Sequence, residues 1–547
     1  MFEDFWFPTL TDLYWFSPEL AMVGTLVVIL VAPLIVGRSS RNAGRLALVG
    51  ALVTIVLTLR VADEARVAGL SGLAPGAAEG MLILDNMTVY FKVVLMLFFA
   101  GVTVLWFIGS AAKEQHGEEF FVLLMGSALG MTLMTSTLNL LMVVIAIELA
   151  SLPSYAIVAF NKRNRLAAEA SLKYVMFGAI STAIMLYGVS LLYGMYHTLN
   201  LGDIAVRMVA DLSAGHNTIA AGLALVCFFA GIAFKIAAVP FHFWCPDVFE
   251  GAQVEVTTWL SVSSKAAALV LLLRVVDVLA AATGTQPGAA QIPTITGLAW
   301  GLGIVAAITC TWGNFAAYRQ KNVKRLLAYS SIAHAGYMMM AATVFVHPDS
   351  SLSFTPGSAL LVYILIYLFM NLGAFAVTAM VVWQTGSEEI EAFNGLGRRA
   401  PWIAVPMVFC LVSLVGIPPF AGFIGKVWIL MALGEAGGAL YWGLLVVVVV
   451  NTLVSLFYYM RIVKAMFFTD DGREAFAPPV TGVAMVNVCG MVLLLLGVVF
   501  ITQPRDLAQR CTRELFVPRA LRLQEPMQAA FARPGVSSSS EVRPAGV

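Results

Sequence analysis

The chain has 547 residues, 60% of them hydrophobic and 12% charged, and a mean hydropathy of +0.88, whereas a soluble domain carries about 25% charged residues. That balance excludes a water-soluble protein and makes the lipid bilayer the expected surroundings. A net charge of +1 leaves no excess of basic residues to neutralise a phosphate backbone, which excludes nucleic acid as a partner.

A helix needs about 20 apolar residues to cross the hydrocarbon core, and such segments recur almost end to end. In chain order, spans are predicted at 19–37, 43–61, 87–110, 119–137, 139–160, 167–195, 218–240, 254–281, 294–313, 323–345, 356–384, 401–433, 440–467 and 480–502. The expected fold is therefore an all-α polytopic membrane protein of about fourteen transmembrane helices. The N-terminus, MFEDFW, is acidic, so the first apolar stretch reads as a retained span and not as a cleaved signal peptide. Between the second and third spans, Gly72, Pro75 and Gly76 precede the alternating run MLILDNMTVYF, which reads as a short outside hairpin. Past Gln503 the chain carries Pro504, Pro518, Pro526, Pro534 and Pro544 and ends polar and Ser-rich, a composition expected to be disordered.

Basic residues accumulate in cytoplasmic loops. One set of alternate loops holds Arg38, Arg41 and Arg45, then Lys113, then Lys162, Arg163 and Arg165, then Arg319, Lys321, Lys324 and Arg325. It continues with Arg398 and Arg399, then Arg461, Lys464 and Arg473. The other set holds little beyond Arg60, Arg66 and Arg207. This places both termini outside, in the periplasm if the membrane is a bacterial inner membrane. Cys227, Cys245, Cys310, Cys410, Cys489 and Cys511 show no close pairing and read as small hydrophobes, so no cysteine-held redox centre is expected.

An ionisable side chain at the bilayer centre costs about 2.5 to 3.5 kcal/mol on insertion scales, so each needs a partner, a water cavity or a function. Glu148, Lys173, Lys235, Lys265, His334 and Lys426 all lie within apolar segments. Taken singly, each reads as well as a structural group, snorkelling to the interface or held in a static ion pair, as it does as a functional one. Lys173, eight residues after Arg165, is the best candidate for snorkelling. Glu148, Lys235, Lys265 and Lys426 stand deeper, and lysines near one another and near a glutamate suit a proton relay, because neighbours of either sign move a lysine's protonation equilibrium.

Two spans are also interrupted by proline. Lys235 precedes Pro240, and Pro418 and Pro419 precede Lys426. Proline removes a backbone N–H and frees a carbonyl, so each helix opens beside a lysine. The first break lies in the fourth span of block 119–281 and the second in the fourth span of block 294–467. Two blocks of five spans imply an inverted repeat with a polar site at the breaks. The expected division is 1–118 for the first three helices with the hairpin, the two blocks, 468–502 for the last helix and 503–547 for the tail.

These segments resemble subunit N of bacterial NADH:quinone oxidoreductase, respiratory complex I, one of its three antiporter-like subunits. The resemblance rests on IELASLPSYAIVAF (147–160), EASLKYVMFGA (169–179), FKIAAVPFHFWCPDVFEGA (234–252), GNFAAYRQKNVKRLLAYSSIAHAGY (313–337) and GIPPFAGFIGKVWIL (416–430). It implies that Glu148 pairs with Lys235, that Lys265 connects the halves and that Lys426 faces the exit. It also places His242, Lys324 and His334 on the hydrophilic axis. No cofactor is implied in this chain; FMN, iron–sulfur clusters and quinone belong to other subunits. The implied partners are the other membrane-arm subunits, including a second antiporter-like subunit and small membrane subunits. A lysine at 426 argues against the M-type subunit, which usually has glutamate there, and the proline-bearing tail argues against the long terminal helix of the L-type. The alternative is a subunit of an Mrp-type cation/proton antiporter.

Overall fold

The computed structural model describes residues 10–67, 81–109, 116–161, 163–283, 293–345, 356–469 and 476–502. Most of the expected hairpin, the tail from 503, and Lys113, Lys162 and Arg473 lie outside them.

A helix stands at each of the fourteen predicted spans: α1 Ser17–Val36, α2 Ser40–Val67, α3 Asn86–Ile108, α4 Gly117–Thr135, α5 Leu140–Val158, α6 Arg165–Tyr196 and α7 Thr218–Ile236. They continue as α8 Val254–Thr283, α9 Pro293–Tyr318, α10 Val323–Val344, α11 Pro356–Thr385, α12 Pro401–Val415, α13 Gly438–Phe468 and α14 Val480–Thr502. After its break α7 resumes as α7b, Trp244–Gly251, and α12 resumes as α12b, Ala421–Ala436. The alternating run at 81–91 forms no strand. Asp85 accepts a hydrogen bond from the Thr88 N–H at 2.8 Å and so caps α3, which turns the second half of the run into helix.

Twelve described helices are long and apolar enough to span a membrane. The two spans that fall short are α10, which carries Lys324, Arg325 and His334, and α12, which its break divides. Packing accounts for the first, since Lys324 and His334 on α10 are 2% and 1% exposed. The apolar window of α8 is 94% buried and that of α11 is 89% buried, against 22% for α1. Buried helices can present polar groups to one another, whereas outer helices show lipid an apolar face, as Leu34, Ile35, Ile219 and Val480 do here.

One local construction occurs twice. Asn139 caps α5 and bridges to Asn200, with the Leu140 N–H donating to Leu199 and the Leu201 N–H to Leu138, both at 2.9 Å. Asn322 caps α10 and bridges to Glu389, with the Val323 N–H donating to Glu388 at 2.8 Å and the Ile390 N–H to Lys321 at 2.9 Å. Nine residues before each asparagine stands a glycine. A side chain at Gly130 would strike the backbone of Leu149 and Ala150, and one at Gly313 would strike the backbone of Tyr329 and Ala333. Each glycine thus permits a close crossing of two consecutive helices.

Candidate functional site

The two breaks set out the site. At the first, the α7 helix ends in left-handed Ala237, and the Trp244 indole donates to the Phe234 carbonyl at 3.0 Å. Lys235 lies immediately before the break, 1% exposed, 6.0 Å from the centre of the Tyr174 ring and 5.9 Å from that of Phe234. Its Nζ has no hydrogen-bond partner, and neither do the hydroxyls of Tyr155 and Tyr174. Tyr155 meets Tyr174 edge-on at 4.6 Å, and Tyr174 stacks on Trp244 at 4.4 Å. Glu148, half-buried on α5, accepts a hydrogen bond from Thr182 on α6 at 2.5 Å. The implied pair of Glu148 and Lys235 is therefore a neighbourhood without a direct ion pair.

His242 lies inside the break, 3% exposed, with its ring 5.8 Å from that of Trp312 and its Nδ1 unpartnered. The α9 helix reaches the same break, where Thr309 accepts from the Val239 N–H at 3.0 Å.

Lys265, fully buried on α8, stands between α7b and α10. Its Nζ donates to the Ser331 hydroxyl on α10 and to the Cys245 sulfur on α7b at 3.4 Å, and it lies 5.2 Å from the centre of the Phe249 ring. One turn beyond Ser331, His334 shares Nδ1 with the Tyr363 hydroxyl at 2.8 Å and Nε2 with that of Tyr459 at 3.5 Å. Another turn on, Tyr337 presents its ring to the Lys426 Nζ at 4.6 Å. Spacing of three along α10 thus lays Ser331, His334 and Tyr337 along one face, between Lys265 and Lys426.

Gly416, at φ +84°, ends α12 in the left-handed region, and the break leaves the Val415 carbonyl without a helical donor. The Lys426 Nζ donates to that carbonyl at 2.8 Å and to Thr452 at 3.4 Å. Beside it, Asn314 donates to the Tyr337 hydroxyl at 3.0 Å and to Asn451 at 3.1 Å, while the Tyr458 hydroxyl donates to Asn314 at 3.0 Å. This amide and phenol network was not legible beforehand, because single asparagines and tyrosines in apolar spans carry no charge to mark them.

Two of the expected residues stand apart. Lys324 is buried at the start of α10, ion-paired with Glu388 at 2.6 Å and donating to the Ala252 carbonyl at 2.8 Å. Ten residues separate it from His334, about 15 Å along the helix. Lys173 is 40% exposed and joins Glu169 at 2.7 Å and Asp247 at 2.8 Å; Asp247 also pairs with Arg325, which reaches Glu250. Sequence reading missed two buried pairs, Arg274 with Asp85 and Lys92 with Glu19. Each sits in an apolar run, and the signal that could have found it was the opposite charge on another span.

Among the described residues, no group of three or more His, Cys, Asp or Glu side chains is placed to hold a metal. The family model described as NADH:quinone oxidoreductase/Mrp antiporter, TM, matches residues 137–455. NADH-quinone oxidoreductase subunit N of Anaeromyxobacter sp. (strain Fw109-5) is 40% identical over 485 residues, 85% of this chain and 89% of that relative. Among solved structures, a chain of respiratory complex I from Thermus thermophilus with bound aureothin is 29% identical with a TM-score of 0.70, covering 89% of this chain and 98% of that one. A chain of the Mrp complex from Dietzia sp. DQ12-45-1b superposes with a TM-score of 0.72 at 18% identity, covering 94% and 99%, a likeness of fold alone.

Proposed function

The chain belongs to the NADH:quinone oxidoreductase/Mrp antiporter family of membrane proteins, and we propose that it is the subunit N of a bacterial proton-pumping NADH:quinone oxidoreductase. It moves protons across the inner membrane while quinone reduction proceeds in other subunits, which hold the FMN and the iron–sulfur clusters. Its partners are the remaining membrane-arm subunits, among them a second antiporter-like subunit and small membrane subunits. Both termini face the periplasm. The helices from α4 to α8 and from α9 to α13 form two half-channels related by inversion, and the duplicated asparagine caps and glycine crossings support that division.

One observation carries the reading. Lys235, Lys265 and Lys426 are all buried, yet among the described residues none has a carboxylate in ion-pair contact. An ammonium held only by hydroxyl, carbonyl, sulfur and aromatic faces is stabilised less than a paired one, so it can release its proton when a neighbour gains charge. Protons enter beside Glu148 and Lys235, cross at Lys265, pass His334 and leave beside Lys426. His242 supports the first half; Lys324 and Lys173 hold helices together.

Glu148→Ala and Lys235→Ala are expected to leave the complex assembled while lowering both quinone-linked NADH oxidation and proton pumping in membrane vesicles. Full pumping by a well-assembled Glu148→Ala complex would refute the reading.

A further inference from the structure

The duplicated construction fixes a register between the two halves. Asn139 and Asn322 each cap a helix and bridge to the segment after the next one, and Gly130 and Gly313 each stand nine residues earlier. The crossings agree as well: Gly130 meets Ala150, eleven residues after Asn139, and Gly313 meets Ala333, eleven residues after Asn322. On this register Glu148, nine residues after its cap, falls on Ser331, nine residues after its own. Where the first half presents a carboxylate, the second presents a neutral hydroxyl.

The hydroxyl is oriented. Ser331 donates to the Ala328 carbonyl at 2.7 Å, one turn back on α10, which turns its lone pairs toward the Lys265 ammonium that donates to it. Lys265 has one other side-chain acceptor, the Cys245 sulfur on the first half's α7b. Its two side-chain hydrogen bonds thus go one to each half, and the second half's rests on Ser331. His334 lies one turn further along the same face.

We infer that Ser331 is the positioning residue that presents the Lys265 ammonium to the second half-channel, and that the absence of charge at this counterpart of Glu148 lets Lys265 release its proton there. A carboxylate at 331 would form a buried pair with Lys265 and hold the proton in place. This rests on the proton path proposed above.

The test uses the assembled complex in proteoliposomes and reads protons pumped per quinone reduced, alongside assembly. Ser331→Ala removes a hydrogen bond to a charged group and is expected to lower that ratio about tenfold. Ser331→Asp and Ser331→Asn have the same size, so their difference isolates charge: the asparagine variant should retain more pumping than the aspartate variant. Wild-type pumping by Ser331→Ala, or equal pumping by the Asp and Asn variants, overturns the inference. Lys265→Ala is measured in parallel. If it pumps fully, the proton path itself fails; if it loses pumping while Ser331→Ala does not, only the role of Ser331 fails. Should the larger side chains block assembly, Ser331→Ala alone decides.

Discussion

Two kinds of buried charge share the interior of this protein. Arg274 is clamped at the end of α3 by both oxygens of Asp85, at 2.8 and 2.6 Å, by Thr88 at 2.6 Å and by the Thr135 carbonyl at 2.6 Å. Lys92 pairs with Glu19 between α3 and α1. Lys235, Lys265 and Lys426 are as deeply buried but, among the described residues, have no acid in ion-pair contact. Burial is common to both groups and pairing separates them. A paired guanidinium fixes helices in register, whereas an unpaired ammonium is the kind of group whose proton is free to move.

The clamp should break hardest. Arg274→Ala leaves Asp85 as an uncompensated buried charge and is expected to destabilise the protein by about 3–5 kcal/mol, read as a fall in melting temperature and in yield of assembled complex. Burial pushes the Asp85 carboxyl up, but the charge and hydrogen bonds of Arg274, with those of Thr88, outweigh it and hold the group below its ordinary value of 3.8. A carboxyl depressed in the folded state contributes stability above its unfolded value and loses it as pH falls through the folded one. Without Arg274 only Thr88 opposes the burial that pushes the Asp85 carboxyl up, so the deficit of Arg274→Ala should shrink as pH falls and the stranded carboxyl takes up its proton.

Lys324 tests the boundary between the groups. It has a carboxylate, Glu388, but that partner is 26% exposed, so water recovers part of what the ion pair loses. Lys324→Met is expected to cost about 1–2 kcal/mol, intermediate between a buried and a surface pair, with pumping per quinone reduced unchanged in the complexes that assemble. A selective loss of pumping would move Lys324 from the clamps to the carriers.

The sequence announced the unpaired lysines better than the clamps. Lys235 and Lys426 stood out because proline breaks flank them, and the helices do break there. Arg274 was hidden because LLLRVVDVL still averages as an apolar run, and its partner lies 189 residues away. Lys324 was placed on the axis by resemblance, and its ion pair with Glu388, 64 residues on, had no signal in the sequence. Cys245 read as a small hydrophobe, which its burial bears out, yet its contact with Lys265 depends on α7b folding back after the break. The alternating run at 81–91 misled because a period of two over eleven residues competes poorly with an aspartate cap in its middle.

An unpaired carrier should behave in the opposite way to a clamp. Lys235→Met removes a buried ammonium that has no hydrogen-bond partner and fills much of its volume with an apolar chain. Stability is expected to stay within about 1 kcal/mol of wild type or to rise, while pumping fails. Measuring melting and pumping on one preparation decides it. A loss of stability as large as that of Arg274→Ala would show that Lys235 is held by a charge after all.

The smallest effect is expected at Lys173. It is 40% exposed, and its partner Glu169 is 59% exposed. Asp247 keeps Arg325 at 2.8 Å when Lys173 is removed. Exposed pairs contribute about 0–1 kcal/mol and weaken in salt, so Lys173→Ala should lower stability by no more than that, and the difference should vanish at high ionic strength. Like Lys235 it lies within an apolar span, though without a proline break beside it, so the pair of variants asks whether pairing or placement governs function. If Lys173→Ala stops pumping in an assembled complex, placement governs and the division between clamps and carriers drawn from pairing is wrong.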